Sequence, residues 1–176
     1  MPFARVPDHR HPGRADGEAL RPGWIAQPVS AGSSVALAVG ALALGRALTD
    51  ARGVDALVGR ALAAALAANA AGSAGFHGPG DRLSRRVHDL SLAAMVTSCA
   101  AGVLLGLNRQ AGASLRALAT PAGLLITGAL VARRSRTGRP WCRPQALLQG
   151  HAVWHVLAAA GVTLAGRRML AGRVTD

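Results

Sequence analysis

The chain has 176 residues, enough for one domain, and is 51% hydrophobic but only 16% charged and 3% aromatic, a balance unusual for a soluble domain. All 20 basic residues are arginines against eight acidic residues, giving a formal net charge of +12. The arginines lie between apolar stretches rather than along a basic face, which argues against nucleic-acid binding and suggests loops meeting anionic lipid head groups.

In chain order, the first 28 residues carry Arg5, Arg10, Arg14 and Arg21 among Pro, Gly and Asp. They contain no apolar core ahead of a small-residue cleavage site, so no removable signal peptide is expected. We expect residues 1–24 to form a mobile basic tail, 25–168 a transmembrane domain and 169–176 a short second tail. Runs of about 18 to 25 apolar residues, able to cross a hydrocarbon core of about 30 Å, then appear five times. They are approximately Val29 to Leu48, Val54 to Phe76, His88 to Leu107, Ala113 to Ala132 and Gln145 to Ala165. Gly, Pro or Arg bounds each one, as in Asp50-Ala-Arg-Gly53, Gly78-Pro-Gly80, Asn108-Arg-Gln-Ala-Gly112 and Arg139-Pro-Trp-Cys-Arg-Pro144. No β pattern competes.

The predicted fold is therefore all-α, a polytopic transmembrane helix bundle of about five spans, set in a bacterial inner membrane. A soluble Ala-rich bundle is the competing reading, because alanine is only marginally lipophilic and Arg60 interrupts the second span. Against it, the first, third and fourth spans carry no sustained charged stripe, and Arg60 is near enough to an end to snorkel toward head groups. Cys99 and Cys142 are too few for a disulfide framework or a cysteine-based zinc site. With strict alternation, 12 arginines share the side of the amino terminus and seven lie opposite, so the amino terminus is expected in the cytoplasm.

Ionisable side chains inside apolar spans are costly and tend to be functional. They concentrate in Gly72-Ser-Ala-Gly-Phe-His77, Val87-His-Asp-Leu90 and Gln149-Gly-His-Ala-Val-Trp-His155, which five alternating spans place toward one membrane face. His151 and His155 are four apart and project from one helix face roughly 6 Å apart along the axis, a chelating spacing. With His77 they would give three neutral nitrogen ligands and leave a fourth tetrahedral position open, as in a catalytic zinc site. Asp89 could take a proton from bound water or orient a histidine, and Ser73 could donate to a polarised carbonyl. Duller roles stay open: Ser73 bonding its own helix carbonyls, Asp89 capping the third helix, and a coincidental His-x-x-x-His. His88 reads as an interfacial residue, and His9 and His11 as solvated tail.

The combination Ser73-Ala-Gly-Phe-His77, Asp89 and Gly150-His-Ala-Val-Trp-His155 resembles the alkaline ceramidase family, of which this would be a short, bacterial-type member. That family belongs to a hydrolase superfamily that also includes the adiponectin and progestin receptors. The resemblance implies zinc on His77, His151 and His155, with Ser73 and Asp89 beside the metal-bound water. The stretch Gly23-Trp-Ile-Ala-Gln-Pro-Val-Ser-Ala-Gly-Ser-Ser34 is similar to the family's entry into its first helix, with Ser30 where an asparagine is common. Eukaryotic members bind calcium on an acidic stretch just upstream. Only Asp16 and Glu18 remain of it here, and Gln27 stands where a glutamate is usual, so calcium is not expected. The family has seven spans. Losing an even number keeps the last helix in its orientation, so the site can still assemble.

The expected function is zinc-dependent hydrolysis of an amide bond, with a membrane lipid, ceramide or another N-acyl lipid, as substrate. Metal-activated water would attack, Ser73 would steady the oxyanion, and Asp89 would pass the proton to the leaving amine. The alternative is a receptor-like or structural membrane protein with a zinc site and no turnover.

Overall fold

The structure, a computed structural model, describes residues 11–109 and 113–171; His9, the first part of the expected tail and the last residues of the chain lie outside them. Every regular element among the described residues is a helix. A 3₁₀ turn, Pro12–Asp16, precedes α1 (Pro28–Ser33), α2 (Val35–Ala47), α3 (Gly53–His77), α4 (Arg82–Arg109), α5 (Ala113–Arg134) and α6 (Gly150–Ala171). Ser34 keeps helical angles between α1 and α2, so these two form one nearly continuous element.

Local chemistry sets the boundaries. Pro28 opens α1, whose free amides are met from a distance: the Glu18 carboxylate accepts from Val29 N (2.9 Å) and Ser30 N (2.8 Å). Glu18 is thereby committed to a helix end. Gly78, Pro79 and Gly80 (φ 63°) end α3. Asp81 then starts α4 by accepting from Ser84 N (2.8 Å) and Ser84 Oγ (3.0 Å), which holds its carboxyl below the usual carboxylate range. The third apolar run thus becomes helical at Arg82, two turns before the expected His88. The last one begins at Gly150 rather than Gln145, because Gln149 folds back to donate to the Ala146 (2.6 Å) and Arg143 (3.0 Å) carbonyls.

The helices pack in the spatial order α4, α3, α2, α6, α5, and α4 and α5 barely meet although they are consecutive. Leu37, Leu44, Leu62, Leu66, Met95 and Val162 fill the centre. Glycines let backbones approach: Gly40 faces Ala159 and Thr163 of α6, and Gly72 faces the backbone of Val87 and His88 of α4.

The amino-terminal segment differs from the expected mobile tail. From His11 onward it is folded against the rest of the protein. Thr137 Oγ1 donates to Arg14 O (2.7 Å), Thr137 N to Ala15 O (3.1 Å) and Ala19 N to Pro144 O (2.8 Å), so it is stitched to the connection between α5 and α6. His11, expected in solvent, is partly buried: its Nδ1 accepts from Gly13 N (3.2 Å) and its Nε2 lies 3.2 Å from Gly78 O.

Among the described residues, two segments, Pro28–Ala47 and Ala56–His77, are long and apolar enough to cross a membrane. Helices α4, α5 and α6 have the length, with 28, 22 and 22 residues, but are diluted by alanine, glycine and polar residues. Arg60 turns its guanidinium back to the Ala51 carbonyl (2.9 Å), carrying its charge toward the start of α3. Cys99 and Cys142 are free thiols.

Candidate metal site

Helix α3 delivers His77 from its last turn, and α6 delivers His151 and His155 from its first two. The rings form a compact triangle, with centroids 4.6 Å apart for His77 and His151, 4.7 Å for His151 and His155, and 5.5 Å for His77 and His155. One ring nitrogen from each lies within 4.8 Å of one from every other, an arrangement able to hold a metal ion. His77 is 0% exposed and His155 2%, so neither is a surface histidine met by water.

Hydrogen bonds define which nitrogen faces inward. Gln27 Nε2 donates to Gly13 O (2.8 Å) and Glu18 O (3.0 Å), so its Oε1 is the acceptor for His77 Nδ1–H at 2.7 Å. Ser33 Oγ donates to Ser30 O (2.8 Å) and therefore accepts from His155 Nδ1–H at 2.7 Å. In both neutral rings the lone pair is left on Nε2. His77 Nε2 and His151 Nε2 are buried with no hydrogen-bond partner, while His155 Nε2 takes the Ser73 hydroxyl at 3.0 Å. Buried polar atoms are almost always satisfied, so two buried imidazole nitrogens without a partner, beside a third that a hydroxyl covers, call for an electron-pair acceptor. The donor set therefore fits a metal.

Ser73 is where the sequence expectation put it, 0% exposed on α3 one turn before His77. Asp89 is not. Its side chain is 59% exposed, 3.1 Å from His88 Nδ1 and 3.8 Å from Arg85 Nε. The reason is helical register: His88, Ser91, Met95 and Gly102 turn toward α3, with His88 stacked on Phe76 at 4.6 Å, and Asp89 falls on the face with the exposed Ala93, Val96 and Ala100. The carboxylate that does reach the cluster is Asp16, whose Oδ1 lies 3.7 Å from His151 Nδ1. Burial lifts the Asp16 carboxyl to about 6, with Arg136 and then His88 pulling it down.

Asp16, Gln27 and Ser33 were missed as partners of the histidines. Each is an ordinary polar residue in sequence, and only the return of residues 11–33 over the ends of α3 and α6 brings them in. Gly13 sits so close that a Cβ there would collide with Gln27 Oε1 and meet His77 Nδ1 at 3.2 Å. Gly13→Val is therefore expected to displace Gln27 and weaken metal binding roughly as losing an outer partner does, by about 10–100-fold, in a titration of the purified protein with cobalt.

No family model matches the chain, and searches of curated proteins and of solved structures find no match either.

Proposed function

We propose that the chain is an integral membrane protein of about five spans whose histidine triad holds zinc and hydrolyses the amide bond of an N-acyl lipid. The observation that carries this reading is the convergence of one ring nitrogen from each of three histidines, two of which leave a buried Nε2 without a partner. Three neutral nitrogens suit zinc and leave one position for water or substrate, whereas structural zinc sites use four protein ligands. When bound, zinc would lower the pKa of a coordinated water from about 16 toward about 7 and polarise a carbonyl oxygen.

The surrounding residues are given these tasks. Gln27 and Ser33 hold the His77 and His155 rings by Nδ1, so that both present a lone pair from a fixed direction. Ser73 loses its acceptor once His155 Nε2 is engaged, and its hydroxyl is free to donate to an oxyanion developing on the substrate. Ser73→Ala is expected to retain metal while turnover falls by about 10²–10³-fold, the usual cost of one such donor. Turnover and metal content measured on one preparation separate this from a ligand role.

A membrane setting is supported by what the outside of the bundle presents. Leu42 is 60% exposed, Leu57 66%, Leu104 68% and Ile126 59%, so large apolar side chains face outward on α2, α3, α4 and α5 alike. The site lies at the end carrying Arg82, Arg85, Arg86, Arg133, Arg134 and Arg136, which we assign to the cytoplasmic face. An open groove of about 440 Å³ between α2 and α6 is lined by Val35, Val39, Ala43, Val156, Ala160 and Leu164. We assign it to an acyl chain arriving from within the bilayer. Ceramide as the substrate rests on the resemblance of Ser73, His77, His151 and His155 to the alkaline ceramidase pattern.

A second reading keeps the metal and drops the chemistry: zinc would clamp α3 to α6, which the burial of His77 and His155 also suits. The two separate on turnover. Detergent-purified, zinc-loaded protein incubated with a panel of N-acyl lipids releases fatty acid under the first reading; bound zinc with no release against the whole panel would favour the second.

A further inference from the structure

Each histidine of the triad has its Nδ1 turned to one residue of the amino-terminal segment. His77 has Gln27 at 2.7 Å, His155 has Ser33 at 2.7 Å, and His151 has Asp16 at 3.7 Å. The first two partners are neutral. Asp16 alone brings charge, and it is only 7% exposed, held at the end of the 3₁₀ turn whose carbonyls take Thr137. A buried carboxylate is costly unless partners compensate it; the charge of Arg136 acts on Asp16, and His151 Nδ1 lies 3.7 Å from its Oδ1. The ring nitrogen on the far side, Nε2, is the buried one without a partner.

We propose that Asp16 is the positioning carboxylate of the metal site, acting through His151. At 3.7 Å the contact is an ion-pair distance and longer than a hydrogen bond, but a carboxylate on the Nδ1 side favours the tautomer that carries its lone pair on Nε2 and raises the basicity of that nitrogen. It also places one negative charge behind a site whose three ligands are neutral, which favours a divalent cation. Asp16 does not itself ligate the metal, because it meets His151 on the edge of the ring opposite the convergent nitrogen. Asp89, exposed and bonded to His88, has no such place. This assignment rests on the metal-site reading above and deepens it: the amino-terminal segment supplies the outer partners of all three ligands.

The test uses full-length protein in detergent, stripped of metal and titrated with Co²⁺, read by the visible ligand-field bands. Asp16→Asn keeps the shape of the side chain and is expected to bind Co²⁺ about 10–100-fold more weakly, with shifted bands. Circular dichroism of the metal-free variants checks the fold, and Asp16→Ala serves if the asparagine variant does not assemble. Wild-type affinity and bands in both Asp16 variants would overturn the assignment. A loss of binding in Asp89→Asn with none in Asp16→Asn would overturn it too. Failure of the wild type to bind Co²⁺ would instead overturn the metal-site reading on which it stands.

Discussion

His155→Ala is expected to abolish both metal binding and amide hydrolysis. The substitution removes one of three ligands, and two imidazoles, on different helices, then remain to hold an ion that needs at least three from the protein in a catalytic geometry. The loss of affinity should exceed the about 10–100-fold that removal of an outer partner costs, and hydrolysis should fall to background. His155 also anchors two hydroxyls, receiving the buried Ser73 on one nitrogen and giving a hydrogen bond to the half-buried Ser33 from the other. Truncation strands the Ser73 hydroxyl, at about 1–3 kcal/mol, whereas Ser33 still donates to Ser30 O. His155→Gln, which keeps polar atoms in the space, should lose metal with a smaller loss of stability. Release of fatty acid from an N-acyl lipid is the readout for hydrolysis, and thermal unfolding of the metal-free protein the readout for stability. Retained turnover in both variants would remove His155 from the mechanism.

The second large effect lies away from the ligands. Gly72→Leu is expected to separate α3 from α4, because a Cβ at position 72 would sit 2.6 Å from His88 N and 2.9 Å from Val87 C. Those are backbone atoms, so no side-chain rotation relieves the collision. Overpacking of this kind costs about 3 kcal/mol, which in a chain of this size lowers the unfolding midpoint by roughly 6–12 °C. Since Gly72 lies between Asn69, bonded to Ser91 of α4, and His77 at the end of the same helix, displacement should also disturb the triad. Gly123→Leu is the matched control: it changes the same residue type within α5, where nothing stands within 4 Å of the added atom. Equal midpoints for the two variants would show that the close approach of α3 and α4 is not a source of stability.

What the sequence made legible follows from locality. The helical fold was readable because long runs of alanine, leucine, valine and glycine are punctuated by Gly, Pro and Arg, and each signal acts over a few residues. His77, His151, His155 and Ser73 were readable because ionisable groups stand out in such runs, and because spacings of four put side chains on one face of a helix. Asp89 was misplaced by a register error: its position near the start of an apolar run does not say which way it points, and α4 presents His88 and Met95 to α3 instead. Asp16, Gln27 and Ser33 were out of reach for another reason. Their roles depend on a return of the chain across the bundle, with Thr137 and Pro144 holding the segment from more than 100 residues away, and no periodicity encodes that closure. An amide suits position 27, because it can donate to Gly13 and Glu18 while accepting from His77, whereas a carboxylate could only accept.

The account turns on whether the three convergent nitrogens bind a metal. The direct measurement is elemental analysis of full-length protein purified in detergent without chelators, beside His155→Ala prepared in parallel. We predict about one zinc per chain in the wild type and background zinc in the variant. A wild-type protein that is folded and free of metal, and that takes up none on exposure to zinc, would contradict the account at its centre.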